Sequence, residues 1–378
     1  MDHTSAKTDM LEHSQSKIDL YSNYLSIFFS IMKYIPYIDQ IYIFDLFAGE
    51  GIYENGSEGS PLTACRVIKN HYFSNNETCP NITLWLNDNG VSRIEPGIQK
   101  IERVERFIQE IFLPDNITLK YFDEDYDNLW PRALEEVKNR NNVKALFFID
   151  PYGYKDIDPD DLREIMGAGN TEILLFIPAF PMYRFAAKAS TSDFPGGAPL
   201  KKLLFKIYGD DVPLFSSVHD FINGFSYQLT KYMGEEIFNV KYIIERDSTN
   251  VYCLLFFTSN ALGCQKMLEA KWKQDPTTGT GHRVEKTIPL FGGMELENYP
   301  EEVLKYISGA DHRTNHELYR FGLNQGFLPK HTNYVLNNYL KTETITKFSL
   351  DEKQTRGNYI KYRHDRIIGF RCSPDILK

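Results

Sequence analysis

The chain has 378 residues and a net charge of −9, with 42 Lys and Arg against 51 Asp and Glu; this length predicts two domains, and the acidic balance argues against wrapping a long nucleic-acid duplex. The five cysteines are scattered without a Cys-x-x-Cys pair, so neither a structural zinc site nor a disulfide framework is indicated, and we expect no bound metal. No signal peptide or membrane-spanning apolar run is predicted, so we expect a cytoplasmic protein that does not contact membranes.

An amphipathic helix is predicted first. From Ser14 to Tyr34 the apolar residues recur with helical spacing, which indicates a helix packed on the rest of the fold. His13 and Lys17 are four residues apart at its start, so both can project from one face toward a ligand. The alternative is a solvated pair at a helix end.

A strand and a glycine-rich loop follow. Ile41 to Phe47 is a β-branched and aromatic run typical of a buried strand, and it ends at Ala48-Gly49-Glu50-Gly51. Ser60 and Pro61 then open a helix as N-cap and first helical residue. A strand, a glycine loop and a helix in this order bring bare backbone to the carboxyl edge of a sheet, where open α/β folds bind their ligands.

The glycine loop matches neither phosphate-binding motif. Glu54 stands where a dinucleotide fingerprint has its third glycine, and Gly-Lys-Ser/Thr is absent. An acid four positions before Gly-x-Gly instead suits a cofactor with a cationic amino-acid end, which indicates S-adenosylmethionine. The alternative is a tight turn without a ligand. The predicted contacts to the methionine end are Asp45, Phe47, Ala48, Gly49 and Gly51.

Two further strands end in acids. Ile82 to Leu86 predicts a strand closing on Asp88, which can accept hydrogen bonds from a ribose or serve as an ordinary turn residue. Ile117 to Phe122 predicts the next strand. Its end should lie near an adenine ring, so Phe122 and Asp123 are the candidates there.

The fourth strand carries the predicted catalytic residues. Ala145 to Ile149 is fully apolar and is followed by Asp150-Pro151-Tyr152-Gly153-Tyr154. The carboxylate can orient a substrate amine, the proline fixes the loop, and a tyrosine ring can stack on a base, which suits methyl transfer to an exocyclic amine. Amino-methyltransferases usually carry a second proline here, so either Tyr152 or Tyr154 is the stacking residue. The alternative is a strand-end acid in a proline turn.

The remaining strands define the fold class. Thr171 to Ile177 is a fifth buried strand, and Val240 to Arg246 with Val251 to Ser259 predicts an antiparallel pair. Five strands alternating with helices and a terminal hairpin are the sheet pattern of S-adenosylmethionine-dependent methyltransferases. We therefore predict an α/β, Rossmann-like, doubly wound methyltransferase domain over residues 1–297.

Residues 298–378 differ in charge and pattern. They carry 13 Lys and Arg against 9 Asp and Glu, net +4, which leaves 29 against 42, net −13, for residues 1–297. Three short helical patterns precede two strands, Thr344 to Leu350 and Asn358 to Arg363, around a charged tip. This order predicts a winged helix-turn-helix that contacts nucleic acid, binds protein or stabilises a dimer. Its candidate contacts are Lys330, His331, Asn333, Asn337 and Asn338 on the third helix, with Lys353 and Arg356 on the wing.

Taken together, these motifs resemble the three-Cys-motif partner (TcmP) family over residues 13–282. The residues that carry the resemblance are His13-Ser14-x-x-Lys17, Asp45-x-Phe47-Ala48-Gly49-x-Gly51, Gly59-Ser60-Pro61-Leu62, Phe148-Ile149-Asp150-Pro151-Tyr152-Gly153, and Tyr252 to Met267 with Trp272 and Asp275. One departure is Asp88, where Glu is commoner. The resemblance implies a methyltransferase-like fold and a gene partnership with a separate three-cysteine, radical-S-adenosylmethionine-like protein. It implies no particular substrate.

The predicted function is methyl transfer from S-adenosylmethionine to an exocyclic amine of a nucleobase in RNA or DNA. The rival is an inactive methyltransferase-like scaffold that binds a three-Cys-motif partner or nucleic acid; a third possibility is an enzyme acting on its partner protein or a small molecule. Catalysis is assigned to Asp150, Pro151, Tyr152 and Tyr154, and substrate binding to His13, Lys17, Ser60 and Pro61 together with the C-terminal contacts, Asn338 excepted.

Overall fold

The computed structural model describes residues 10, 12–33, 35–72, 79–189, 198–276, 279, 281–283, 294–349 and 358–373. The chain divides into two compact units, residues 1–259 with 281–285 and residues 260–280 with 286–378. The sequence-based boundary at residue 298 stays a prediction, and residues 261–274 group with the second unit.

The first unit is built on a mostly parallel sheet. Within the described residues the strand order is β3-β2-β1-β4-β5-β7-β6-β8. β1 to β5 are parallel, whereas β7 inserts antiparallel between β5 and β6. The predicted doubly wound sheet with a terminal antiparallel hairpin is therefore confirmed. The strands are β1 (Gln40–Asp45), β2 (Asn81–Asn87), β3 (Ile117–Phe122), β4 (Val143–Ile149), β5 (Thr171–Ile177), β6 (Phe238–Asp247), β7 (Asn250–Thr258) and β8 (Gly281–Arg283).

Helices cover both faces of this sheet, which is why its central strands are apolar along their whole length. On one face Tyr21 stacks on Phe148 at 4.5 Å between ring centroids. On the other face Phe44 and Phe147 lie 4.5 Å apart within a large apolar cluster. The helices of this unit are α1 (Glu12–Met32), α2 (Ser60–Tyr72), α3 (Lys100–Gln109), α4 (Tyr126–Glu135), α5 (Pro159–Gly167), α6 (Ala179–Ala189), α7 (Ala198–Tyr208) and α8 (Val218–Met233).

The second unit combines helices with a small antiparallel sheet of order β10-β11-β9 in the described residues. Its elements are α9 (Ala261–Gln274), α10 (Met294–Ser308), β9 (Arg313–Thr314), α11 (Asn315–Asn324), α12 (Pro329–Lys341), β10 (Ile345–Ser349) and β11 (Ile368–Cys372). The three predicted helices are present, but the second strand of the hairpin was wrong, because β10 pairs with β11 and not with residues 358–363.

Two buried asparagines explain this difference. Asn333 Oδ1 accepts hydrogen bonds from the amides of Tyr359 and Ile360 at 2.8 and 3.0 Å, and its Nδ2 donates to the Ile360 carbonyl at 2.9 Å. Asn315 Nδ2 donates to the Tyr359 carbonyl at 3.2 Å. These side chains bind the backbone groups that a strand would have used. Among the described helices, none combines the length and apolar character that crossing a membrane requires.

Candidate functional site

The glycine loop leaves β1 in a left-handed conformation. Gly49 and Gly51 have φ angles of +69° and +77°, which residues with a Cβ rarely adopt. A Cβ on Gly51 would also lie 3.0 Å from Val104 Cγ2, whereas a Cβ on Gly49 would meet only the Tyr53 hydroxyl, at 4.0 Å. The backbone is thus packed against α3 at Gly51 and open at Gly49.

Asp45, the last residue of β1, is a buried acid without a partner. Both carboxylate oxygens are inaccessible to solvent, and neither accepts a hydrogen bond from the described residues. Burial raises the pKa of Asp45 to about 7. The nearby Ser60 hydroxyl and Phe47 amide lower this pKa, although neither reaches the geometry of a hydrogen bond to the carboxylate. A buried carboxylate in this condition is costly, and a cationic ligand group would satisfy it.

Tyr53 lies among the acids of the site and was missed by the sequence analysis. Burial, and then the charges around it, raise the pKa of the Tyr53 phenol to about 12. The charges belong to Asp150, Glu50, Asp45 and Asp88. A lone tyrosine after Gly-x-Gly carries no distinguishing signal, so only the fold reveals its position.

A buried ion pair holds the glycine loop in place. Glu50 accepts hydrogen bonds from Arg103 Nη1 at 3.1 Å, from the Ser92 hydroxyl at 2.8 Å and from the Arg93 amide at 2.8 Å. Arg103 also donates to the Glu50 carbonyl at 2.7 Å. The loop is therefore fastened to α3 and to the segment after β2, and these partners, 40 or more residues away in sequence, were not predictable.

Asp88, just after β2, is buried but fully satisfied. Its Oδ1 accepts from the Gly90 amide at 2.8 Å and from Lys100 Nζ at 3.1 Å, and its Oδ2 accepts from the Gly49 amide and the Tyr152 hydroxyl, both at 3.0 Å. A carboxylate has about four acceptor positions, and all four are used here. The predicted ribose contact is thus engaged with the protein itself.

Tyr152 joins Asp88 to a buried lysine. Its hydroxyl also contacts Lys100 Nζ, and this ammonium lies 4.2 Å from the centroid of the Tyr152 ring. The Tyr152 residue is nevertheless 67% exposed, so one ring face remains open. Burial of the hydroxyl and the charge of Asp88 raise the pKa of this phenol well above its usual value.

Asp150, just after β4, forms an ion pair with Lys17 of α1, and both side chains are largely buried. Lys17 Nζ also lies 4.5 Å from the centroid of the Phe176 ring, which stacks on Tyr252 at 5.4 Å. The helix that the sequence placed near the ligand thus reaches the predicted catalytic acid. The His13 side chain lies outside the described residues, although His13 is in the first turn of α1.

The other loop residues after β4 have separate roles. Pro151 is buried, which fixes the start of the loop. Tyr154 is half-buried, with its ring centroid 6.4 Å from that of Phe185 at the edge of the apolar core. Of the two tyrosines, Tyr152 has the more open ring.

The remaining cofactor candidates lie at adjacent strand ends. Phe47 stacks on Tyr126 at 5.4 Å, and the Ala48 amide donates to the Asn87 carbonyl at 2.8 Å. Phe122 lies 4.7 Å from Trp85, and Asp123 is exposed. Ser60 and Pro61 are buried at the start of α2, with the Ser60 hydroxyl beside Asp45.

The candidates on α12 divide into internal and external residues. His331 Nδ1 accepts from the Leu328 amide at 3.2 Å and the ring packs 4.5 Å from Trp272, so burial lowers the His331 pKa to about 4. Asn333 is buried and binds the backbone of residues 359–360. Lys330 is exposed and Asn337 half-buried.

Lys353 and Arg356 lie outside the described residues. Among the residues that are described, no group of three His, Cys, Asp or Glu side chains is arranged to hold a metal ion.

No protein-family model and no curated protein matches the sequence. Similar solved structures include protein LPL1258 from Legionella pneumophila, of family DUF519 (11% identity, 65% of this chain and 85% of that chain, TM-score 0.36), and an O-methyltransferase from Bacillus cereus in complex with SAH (10% identity, 68% and 91%, TM-score 0.34). A DUF574 protein from Streptomyces avermitilis is similar over 63% of this chain and 83% of that chain (10% identity, TM-score 0.30). The methyltransferase-like assignment of the fold rests on the strand order.

Proposed function

We propose that the first unit is an S-adenosylmethionine-dependent methyltransferase. The observation that carries this proposal is Asp45, a buried carboxylate without a partner beside a glycine loop, at the sheet edge where open α/β folds bind ligands. The ammonium of a methionine moiety is the charge partner that Asp45 lacks, and the open backbone at Gly49 leaves room for it. When bound, this cofactor supplies a methyl group carried on a sulfonium.

For the acceptor we propose an exocyclic amine of a nucleobase in RNA or DNA. Asp150 would orient the amine and stabilise the positive charge that develops on the nitrogen as it takes the methyl group from the sulfonium. Lys17 pairs with Oδ2 of the Asp150 carboxylate, and the exposed ring of Tyr152 offers a surface on which a base can stack. A paired base would have to leave its duplex first, so a single strand or loop is the easier substrate.

The second unit would hold the polymer. We propose that α10, α11, α12 and the β10–β11 hairpin form a winged helix-turn-helix with α12 as recognition helix. The net charge of +4 over residues 298–378 supports this role. Lys330 and the 69% exposed Tyr334 offer a cation and a stacking ring, with Asn337, Lys353 and Arg356 as further contacts. His331 and Asn333 are engaged inside the second unit, so they would support the conformation of α12 and would not contact the polymer.

A three-cysteine partner protein is a further proposal, based on the resemblance to the TcmP family. Copurification of the two proteins from cells that express both would support it. A reproducible failure of the tagged chain to retain the partner would remove it.

The test of the methyltransferase is transfer of labelled methyl groups to pools of RNA and single-stranded DNA. Asp150→Ala should abolish incorporation, while affinity for S-adenosylhomocysteine should stay within about twofold because Asp150 is not the ammonium partner. Asp211→Ala, at an exposed acid shortly after the end of α7, is the control and should transfer normally. Full turnover by the Asp150 variant would contradict the assignment.

A scaffold without catalysis is the second candidate, favoured by one observation. Asp150, predicted to hold the acceptor amine, and Asp88, predicted to hold the cofactor ribose, are already engaged by Lys17 and by Tyr152, respectively. The scaffold predicts no cofactor binding by the folded protein together with salt-sensitive binding of nucleic acid or a partner protein. Cofactor binding therefore separates the two functions.

A further inference from the structure

The donors to Asp88 differ in how easily they can be released. The amides of Gly49 and Gly90 belong to the backbone framework of the site. Lys100 is buried beside the carboxylate, with 8% of its side chain exposed, so its departure would leave a buried charge uncompensated. Tyr152 belongs to a loop, is 67% exposed, and contributes a neutral hydroxyl. Its release gives up the contacts of the hydroxyl with Asp88 and Lys100 but leaves these two charges paired with each other, so it costs least.

We infer that Tyr152 exchanges its hydrogen bond to Asp88 for a place on the acceptor when the cofactor ribose binds. This inference rests on the proposed function. Asp88 can accept from a ribose diol only after one of its four donors has left, because its acceptor positions are filled. Lys100 is the positioning residue that stays and keeps the buried carboxylate compensated throughout.

The released tyrosine is well placed for a second role. Tyr152 follows Asp150 by two residues, and the buried Pro151 between them fixes the start of the loop. Once its hydroxyl leaves Asp88, the ring is free to stack on a base whose amine is held by Asp150. The exchange therefore couples the two ligands: cofactor binding prepares the acceptor site and should raise its affinity for the acceptor.

Tyr152→Phe separates the two roles, because it keeps the ring and removes the competing hydroxyl. Calorimetric titration with S-adenosylhomocysteine should give about threefold to tenfold tighter binding for this variant than for the wild type, corresponding to the usual net contribution of one hydrogen bond. Tyr227→Phe is the matched control, since Tyr227 is also 67% exposed and lies on α8. Its affinity should equal that of the wild type.

A second readout follows the tyrosine itself. Acetylation by N-acetylimidazole, mapped by mass spectrometry on the wild-type protein, should become faster at Tyr152 when S-adenosylhomocysteine is added, while Tyr227 should not change. Tightened binding with this acceleration supports the exchange.

The outcomes distinguish the inference from the proposed function. Wild-type binding with unchanged or weaker affinity in Tyr152→Phe overturns the exchange and leaves the methyltransferase standing. Protection of Tyr152 by S-adenosylhomocysteine also overturns the exchange. Folded wild-type protein that does not bind S-adenosylhomocysteine overturns both.

Discussion

The ends of β1 and β2 each carry a buried carboxylate, and the two acids differ in their surroundings. Asp88 accepts hydrogen bonds from four donor groups, one of them a buried ammonium, whereas Asp45 accepts none from the described residues. Both lie at the sheet edge where this fold class binds ligands. The ammonium of the ligand would therefore meet an unsatisfied carboxylate at Asp45, whereas its ribose would replace a protein hydrogen bond at Asp88.

The largest effect is expected from removing the cation that pairs with Asp88. Lys100→Met leaves Asp88 buried without its cation and should lower the free energy of unfolding by about 3–5 kcal/mol, the usual cost of breaking a buried pair. Urea denaturation measures it. Lys155→Met, at a 72% exposed lysine, should change stability by less than about 0.5 kcal/mol. Equal effects of the two variants would show that the Asp88 cluster contributes nothing special.

The buried carboxyl of Asp45 should make the stability of the protein depend on pH. The folded protein keeps this carboxyl protonated up to about pH 7, whereas the unfolded chain ionises it near 3.8. The folded state binds the extra proton, so the free energy of unfolding falls as the pH rises between these values. Asp45→Asn should remove that fall and stabilise the protein at pH 8 by about 4 kcal/mol, which is the shift between the two pKa values at about 1.4 kcal/mol per unit.

Thermal unfolding of both proteins at pH 5 and pH 8 measures this difference. The stability gained by Asp45→Asn should be about 4 kcal/mol at pH 8 and less than about 2 kcal/mol at pH 5. A variant less stable than the wild type at pH 8 would mean that Asp45 has a partner which the structure does not show.

A smaller effect tests the loop between the two acids. Gly51→Ala should destabilise by about 2 kcal/mol, since the left-handed backbone costs about 1 kcal/mol or more for alanine and Val104 adds a steric contact. Gly49→Ala has the strain without the contact and should cost about 1 kcal/mol. Denaturant titration compares them, and an equal or reversed order would contradict the packing described at Gly51.

The smallest expected effect is the number of protons that Asp45 releases when the ligand binds. Because a ligand ammonium would bind ionised Asp45, a proton should leave the carboxyl on binding at pH values below about 7. Calorimetry of S-adenosylhomocysteine in buffers of different ionisation enthalpy should show release of about one proton at pH 6, and less at pH 8. The Asp211→Asn control should behave like the wild type, and no release at pH 6 would contradict the raised pKa.

Much of the sheet was predictable because each strand carries its own signal. β3 and β5 were predicted with their observed limits. β5 is buried along almost its whole length and reads as an apolar run, whereas β3 is a half-buried edge strand marked by its β-branched and aromatic residues. The hairpin strand after β10 was mispredicted for a long-range reason. The side chains of Asn315 and Asn333 bind the backbone of residues 359–360, and no local pattern shows that.

In the candidate site, too, the local features were predictable from the sequence and the long-range contacts were not. The sequence identified the acids at the strand ends, because strand ends and glycine loops are local features. It missed Tyr53, Lys100 and Arg103, whose roles depend on residues brought together only by the fold. It also left Tyr152 and Tyr154 equivalent, whereas the contacts of Tyr152 with Asp88 and Lys100 distinguish them.

The most direct measurement of the central claim is calorimetric titration of the purified protein with S-adenosylmethionine and S-adenosylhomocysteine, beside Asp45→Ala and the Asp211→Ala control. The account predicts micromolar binding by the wild type and the control, with a loss of about 100-fold or more in Asp45→Ala, since an ammonium would lose its buried charge partner. Absence of binding by folded wild-type protein, or equal binding by the Asp45 variant, would contradict it.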